Sequence, residues 1–174
     1  GGRVELKFQI INTRSECPDL PSPSLSPLYV FGAGHVGQAL AYALAPLPFS
    51  LHLFDNRDQY IRGQVLSYGD PAKTVQTAPA NTAFLIMTHD HSLDYELCRA
   101  VLSRDDYSFL GLIGSKTKRA RFLSRLKQDG ITGAQRARLT CPIGLMTIKG
   151  KEPEIIAASV AAQLLQVLGK NNGN

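Results

Sequence analysis

Residues 28–44, LYVFGAGHVGQALAYAL, pass from an apolar run through three glycines into an alanine-rich stretch. Gly32, Gly34 and Gly37 form G-x-G-x-x-G directly after a predicted strand over 28–31 and at the start of a predicted helix over 35–45, which Pro46 and Pro48 end. In that setting such a loop binds a dinucleotide. The first glycine permits a tight turn, the second lets backbone approach a phosphate, and the third lets helix pack on strand. The helix start then offers unpaired N–H groups and a partial positive charge to an anion. Without a ligand the same pattern would be only a tight strand–helix turn.

Working outward, SLHLFD (50–55) predicts a second strand that ends in Asp55, 18 residues beyond Gly37. An acidic side chain there accepts hydrogen bonds from a ribose diol. Arg57, two residues on, could meet a ribose phosphate, which leaves the choice between NAD and NADP open. GQVLSY (63–68) reads as a weak third strand, AFLIMT (83–88) as a buried strand and YSFLGLI (107–113) as another. Helices are expected over 92–103 and over 115–128, the latter stopping at Gly130. Ile155, Ile156, Val160, Leu164 and Leu168 fall at helical spacing between Pro153 and Gly169 and predict a final helix. Strands alternating with helices predict an α/β fold, a Rossmann-like doubly wound parallel sheet with helices on both faces. In the usual strand order 3-2-1-4-5, the loops after 28–31, 83–88 and 107–113 share one edge, where ligands bind.

The loop after 83–88 is THDHSLD, with His89, Asp90, His91 and Asp94. Two histidines and two acids raise the question of a metal. His89 and His91 merely flank Asp90 on a turn, with no distant third ligand set, so no metal is expected. Asp90 or Ser92 is expected to cap the next helix, and the loop to hydrogen-bond a ligand. The loop after 107–113 is GLIGSKTKRARF, in which Gly114 and Ser115 open a helix carrying Lys116, Lys118 and Arg119 in its first turns. Cations there oppose the helix macrodipole, and an anionic ligand would supply the reason for them. A solvated basic face is the alternative.

The chain has 174 residues, 44% of them hydrophobic and 19% charged, enough for one globular domain with a core rather than a disordered chain. The net charge is +5, and KTKRARFLSRLK (116–127) holds six cations, so the rest of the chain is near neutral. A single aromatic residue, Phe122, falls among these charges rather than a regular interleaving, so nucleic acid is not an expected partner. Neither a membrane span nor a signal peptide is apparent, and a soluble cytoplasmic protein is expected. Cys17, Cys98 and Cys141 are widely spaced without a CxxC, which argues against disulfides and zinc; Cys98 is expected in a helix core and Cys141 in a structural position.

Before the glycine loop, RVELKFQII (3–11) alternates like a strand with one buried face, and residues 12–27, with Pro18, Pro21, Pro23 and Pro27, read as an extended linker. The chain starts Gly-Gly without methionine. Residues 1–27 are therefore expected to be the remnant of a preceding domain, with 28–174 the Rossmann-like domain; the alternative is that the strand docks on a partner subunit.

The ordered set FGAGHVG, DNRDQY, MTHDHSLD, GLIGSKTKRARF, CPIGL and KEPEIIAASVAAQLL resembles the C-terminal Rossmann domain of the XdhC/CoxI family, over roughly 28–168. These are accessory proteins of molybdenum hydroxylases such as xanthine dehydrogenase. The resemblance implies a chaperone that binds the molybdenum cofactor as cargo, protects it while a cysteine desulfurase installs the sulfido ligand, and delivers it to the apo-hydroxylase. Molybdopterin carries a phosphate or a dinucleotide pyrophosphate, so glycine-rich and basic helix starts both suit it. The resemblance implies Gly32, Gly34, His35 and Gly37, Asp90 and His91, and Gly114, Ser115 and Lys116 as cofactor-binding residues; Val36, Asp55, Arg57, His89, Lys118 and Arg119 complete the candidate set from their places in the same three loops and at the end of the second strand. No catalytic dyad is implied. Family members usually carry an N-terminal domain with its own cysteine, so the chain is expected to be either a fragment or a split homologue, and Cys17, in the linker, is not expected to substitute for that cysteine.

Two other classes remain open at the level of sequence. An NAD(P)-dependent oxidoreductase would explain Gly32 to Asp55, with His89 or His91 as proton donor, but needs a substrate domain. A nucleotide-sensing regulatory domain would explain the glycine loop but neither GSKTKR nor HDH. Ala157, Ala158, Ala161 and Ala162 on the last helix would let another helix approach closely, so a homodimer is a further expectation.

Overall fold

The computed structural model describes residues 25–168. The expected strand over 3–11 and all of the expected linker before residue 25 lie outside them.

The chain alternates strand and helix: β1 (Ser26–Phe31), α1 (His35–Leu44), β2 (Phe49–Phe54), β3 (Val65–Leu66), α2 (Pro71–Gln76), β4 (Ala83–Ile86), α3 (His91–Leu102), β5 (Phe109–Leu112), α4 (Lys116–Gln128), α5 (Gly133–Ala137), β6 (Leu139–Thr140) and α6 (Pro153–Leu168). The six strands form one all-parallel sheet in the order β3-β2-β1-β4-β5-β6. This is the expected Rossmann-like architecture, with its switch point between β1 and β4.

Both faces of the sheet are covered, which explains why its central strands read as continuous apolar runs rather than alternating ones. Every residue of β4 is buried. Phe84 and Ile86 face a core that Phe31, Phe54, Leu110 and Leu112 share with Val75 of α2, Leu97 and Val101 of α3, and Leu126 of α4. Ala83 and Leu85 face the opposite core, with Leu28, Val30 and Leu53, against Leu40 and Leu44 of α1 and Val160 and Leu164 of α6. The α6 alanines divide accordingly: Ala157 and Ala161 are buried in that core, while Ala158 is exposed and Ala162 half-buried. The helix that Ala157 and Ala161 admit closely is therefore α1 of the same chain.

Several boundaries differ from expectation. Ser26 and Pro27, assigned to the linker, pair with Phe49 and Ser50 and extend β1 backwards. The weak third strand shrinks to two residues, because only Val65 and Leu66 reach β2. α2, α5 and β6 were not anticipated. α2 and α5 are short, with caps that form locally: the Asp70 side chain accepts from Ala72 N and Lys73 N ahead of Pro71, and Thr132 and Gln135 make a reciprocal capping box. Cys98 and Cys141 are free thiols in the α2/α3/α4 core, as expected. Among the described residues no helix is long and apolar enough to cross a membrane.

Candidate functional site

Three loops leave the sheet side by side at its carboxyl edge. Phe31 is level with Ile86 and Ile86 with Leu112, so 32–34, 87–90 and 113–115 start at the same height. Backbone bonds continue the ladder past the strand ends: Gly32 N donates to Phe54 O (2.7 Å), Met87 N to Phe31 O (2.9 Å) and Ile113 N to Ile86 O (2.9 Å).

The three fingerprint glycines do different work. Gly32 has φ +114°, and a Cβ there would overlap the Met87 carbonyl. A Cβ on Gly37 would overlap the carbonyl oxygen of Gly32. Both are demanded by backbone packing. Gly34, the N-cap of α1, has φ −67° and no side-chain cap, and its Cβ would meet only the Arg57 guanidinium, 3.8 Å away. Gly34, just ahead of the first turn of α1 that begins with His35 and Val36, is thus the one fingerprint glycine that backbone packing does not demand.

Asp55 lies one residue beyond β2, 5% exposed, and does not present a free carboxylate. Its Oδ1 accepts from Arg57 N (3.0 Å) and Arg57 Nε (2.9 Å); its Oδ2 accepts from Ala33 N (2.8 Å) and Arg57 Nη2 (2.6 Å). Burial pushes the carboxyl up, but these charge-assisted and backbone bonds outweigh it and hold the pKa down at about 2, against an ordinary 3.8. A depressed carboxylate stabilises the fold above its unfolded pKa and loses that contribution as pH falls through the folded value. Asp55 thus contributes about 2 kcal/mol at neutral pH, lost between roughly pH 4 and pH 2. Urea unfolding should show a smaller drop in stability from pH 7 to pH 3 for Asp55→Asn than for the wild type; equal drops would contradict this ion pair.

The central loop holds a buried acid. Asp94 is fully buried in α3; its Oδ1 accepts from Thr88 N (3.1 Å) and Thr88 Oγ1 (2.7 Å), and its Oδ2 from Lys118 Nζ (2.5 Å). Lys118 Nζ also donates to Ile113 O (3.1 Å), and its stem crosses Gly114, where a Cβ would sit 2.6 Å from Lys118 Cδ. One ion pair therefore ties the β4 loop, α3, the end of β5 and α4 together. Asp90 caps α3 through Ser92 N and Leu93 N, as expected, and Ser115 caps α4 through Lys118 N.

Thr88 stands between two clefts. On the glycine-loop side, about 300 Å³ is lined by Gly32, Asp55, Arg57, Tyr68, Thr88 and His89, among others. On the other side, about 560 Å³ opens between the N-termini of α3 and α4, lined by His91, Ser115, Lys118, Arg121 and Arg125, with Tyr95 and Phe122 as an apolar wall. His89 and His91 thus part to opposite sides of Thr88. Among the described residues no group of three or more metal-ligating side chains converges. The basic segment also splits: Lys116 lines neither cleft, and Arg119 turns to a shallow depression with Lys127 and Arg136 on the far face of α4.

The profile of the XdhC Rossmann domain matches residues 28–164. The chain belongs to the XdhC Rossmann-domain family. YqeB of Escherichia coli (strain K12), an uncharacterized protein, is 31% identical over 155 residues, a stretch that covers 83% of this chain and 27% of YqeB. A crystal structure described as that of a xanthine dehydrogenase from Bacillus halodurans superposes with a TM-score of 0.69 at 26% identity, covering 84% of this chain and 43% of that one. This XdhC domain therefore spans about a quarter of one relative and less than half of the other.

Sequence reasoning missed part of the XdhC cleft: Thr88, Tyr95, Arg121, Phe122 and Arg125 were not singled out as site residues. A signal existed for four residues of α4. Lys118, Arg121, Phe122 and Arg125 recur at spacings of three and four, the period of a single helix face. The Tyr95 hydroxyl donates to Asp129 Oδ2 (2.7 Å), bracing α3 against the end of α4. Burial and that bond push its phenol up to about 12, so it stays protonated.

Proposed function

We propose that this XdhC domain binds the molybdenum cofactor as cargo at the carboxyl edge of its sheet, and takes part in the cofactor's sulfuration and insertion into a xanthine dehydrogenase-type molybdenum hydroxylase. A cysteine desulfurase would be the sulfur source and the hydroxylase the recipient. Family membership supports the reading, as does the likeness to a protein described as a xanthine dehydrogenase.

One observation carries the binding part: the 560 Å³ cleft combines cationic side chains with the start of α4 and an apolar wall. The molybdenum cofactor has complementary chemistry, a flat pterin with an anionic phosphate tail. Arg121 and Arg125 are exposed donors positioned to meet phosphate oxygens, Arg125 lying 3.9 Å over the Tyr95 ring. Lys118 acts differently. Its side chain is 13% exposed and its ammonium is committed to Asp94, so it adds positive potential and fixes the cleft's shape without leaving its partner. The glycine-loop cleft across Thr88 offers a second place for phosphate, beside Gly34.

The reading is tested by anaerobic titration of the domain with molybdenum cofactor, wild type against Arg121→Ala/Arg125→Ala. Two charge-assisted contacts at about 1.5 kcal/mol each predict a loss of roughly 100-fold in affinity. Saturable binding that the double variant leaves unchanged, or an absence of binding, would remove this cleft as the cargo site.

A further inference from the structure

We infer that Arg57 is the specificity-determining residue of the glycine-loop cleft, that Asp55 positions it, and that the subsite at the end of β2 takes a phosphomonoester and rejects a vicinal diol. The inference rests on the reading of this sheet edge as a ligand-binding edge, and not on which cargo binds there.

A diol needs free acceptors. After a G-x-G-x-x-G loop, the acid at the end of the second strand ordinarily supplies them. A carboxylate has about four lone-pair positions, and Asp55 accepts four bonds, three from Arg57 and one from Ala33 N. A ribose diol would have to displace the guanidinium. That would strand a carboxylate that is 5% exposed, at a cost the two hydroxyls cannot offset. The position that reads as a diol acceptor is therefore closed.

The donors beside it remain available. Of the five guanidinium N–H groups of Arg57, two go to Asp55, and the other three have no partner among the described residues. Arg57 is 28% exposed and lines the 300 Å³ cleft with Gly32, Thr88 and His89. Its plane is held at two points: the fork on Asp55, and the Tyr60 ring, 4.2 Å from the guanidinium carbon. The Asn56 side chain ties down the intervening turn by accepting from Tyr68 N (2.9 Å) and Ser67 Oγ (3.2 Å). Between guanidinium and glycine loop lies the space that the missing side chain of Gly34 leaves open.

A fixed edge with only donors calls for a ligand with only acceptors. A phosphomonoester dianion supplies three acceptor oxygens and the complementary charge, and its bonds to a guanidinium are roughly twice as strong as neutral ones. Hydroxyls of a diol can accept from the guanidinium but bring no charge, and their own protons find no free acceptor on Asp55. That group could come from a nucleotide ribose phosphate or from the phosphate tail of the pterin cargo.

NADP⁺ and NAD⁺ differ by a single phosphomonoester and are the direct probes. Calorimetric titration of the wild-type chain should show NADP⁺ binding at least tenfold tighter than NAD⁺, with inorganic phosphate competing against NADP⁺. Arg57→Met should bring the ratio within about threefold. Asp55→Ala should lower the ratio too, because the guanidinium loses its fork partner, an effect that a purely structural role would not produce. Should either variant unfold, Gly34→Ala keeps the ion pair and narrows only the gap; it should weaken NADP⁺ at least fivefold while the Tm stays near that of the wild type. Equal affinities for the two nucleotides, a ratio that survives in a folded Arg57→Met, or no binding of either overturns the inference. Competition by molybdenum cofactor separates the two sources. If the cofactor displaces NADP⁺, the subsite serves the cargo phosphate. If the ratio holds and the cofactor neither binds nor displaces, the phosphate subsite stands and the chaperone reading falls.

Discussion

Replacing Lys118 with methionine lowers the stability of this domain by about 3–5 kcal/mol, whereas Lys116→Met changes it by less than about 0.5 kcal/mol. Both lysines lie in the first turn of α4 and read alike in sequence. Lys116 is exposed, while Lys118 places its ammonium 2.5 Å from a carboxylate with no solvent exposure. Without that ammonium, Asp94 keeps the two Thr88 bonds but remains a buried, uncompensated charge. Removing the charge along with its partner separates this account from a mere packing loss. Asp94→Asn/Lys118→Met should recover most of the stability, because an amide oxygen can still accept from Thr88 and no lone charge remains. Urea unfolding of the three variants decides the matter, and a double variant no more stable than Lys118→Met alone would contradict it. A corollary concerns binding: a loss of cargo affinity in Lys118 variants reports a collapsed cleft, so the exposed Arg121 and Arg125 are the proper binding probes.

The glycine loop yields an equally large contrast within one motif. Gly37→Ala costs about 3 kcal/mol or more, since its new methyl overlaps the carbonyl of Gly32, and backbone cannot step aside as a side chain can. Gly32→Ala adds a left-handed conformation to a similar overlap with Met87 and should be as damaging. Gly34→Ala is different. Its φ is −67° and nothing but the tip of Arg57 lies within 4 Å, so the fold should lose about 1 kcal/mol or less. Thermal unfolding of the three alanine variants should put Gly34→Ala near the wild type and the other two far below. Similar melting for all three would show that the loop is ordered by packing alone, with no room kept for a ligand.

The elements most legible in sequence were those whose pattern is set by burial. β4 is enclosed on both faces and reads as an unbroken apolar run, while α6 has a single buried stripe against α1 and carries it at helical spacing. α2, α5 and β6 were illegible because each is short. The two residues of β6 are held by pairing with Leu110 and Gly111 of β5 and by the burial of Leu139 in the core, long-range contacts that leave no local periodicity.

For the candidate site, residue types were legible and their destinations were not. Asp55 carries the mark of a ribose acceptor, yet its acceptors are filled from Ala33, 22 residues away, and from Arg57. His89 and His91 are two residues apart and line opposite clefts, because α3 begins between them on the Asp90 cap.

By itself the sequence determined the parallel doubly wound fold, the sheet edge that its three loops share and the XdhC resemblance, because hydrophobic period and glycine spacing are properties of short segments. Only the tertiary structure decided which charges are free. Lys118 and Lys116 part company through Asp94, and Arg57 closes over Asp55, since a buried ionic group takes whatever partner the packed chain brings within about 3 Å, irrespective of its distance in sequence.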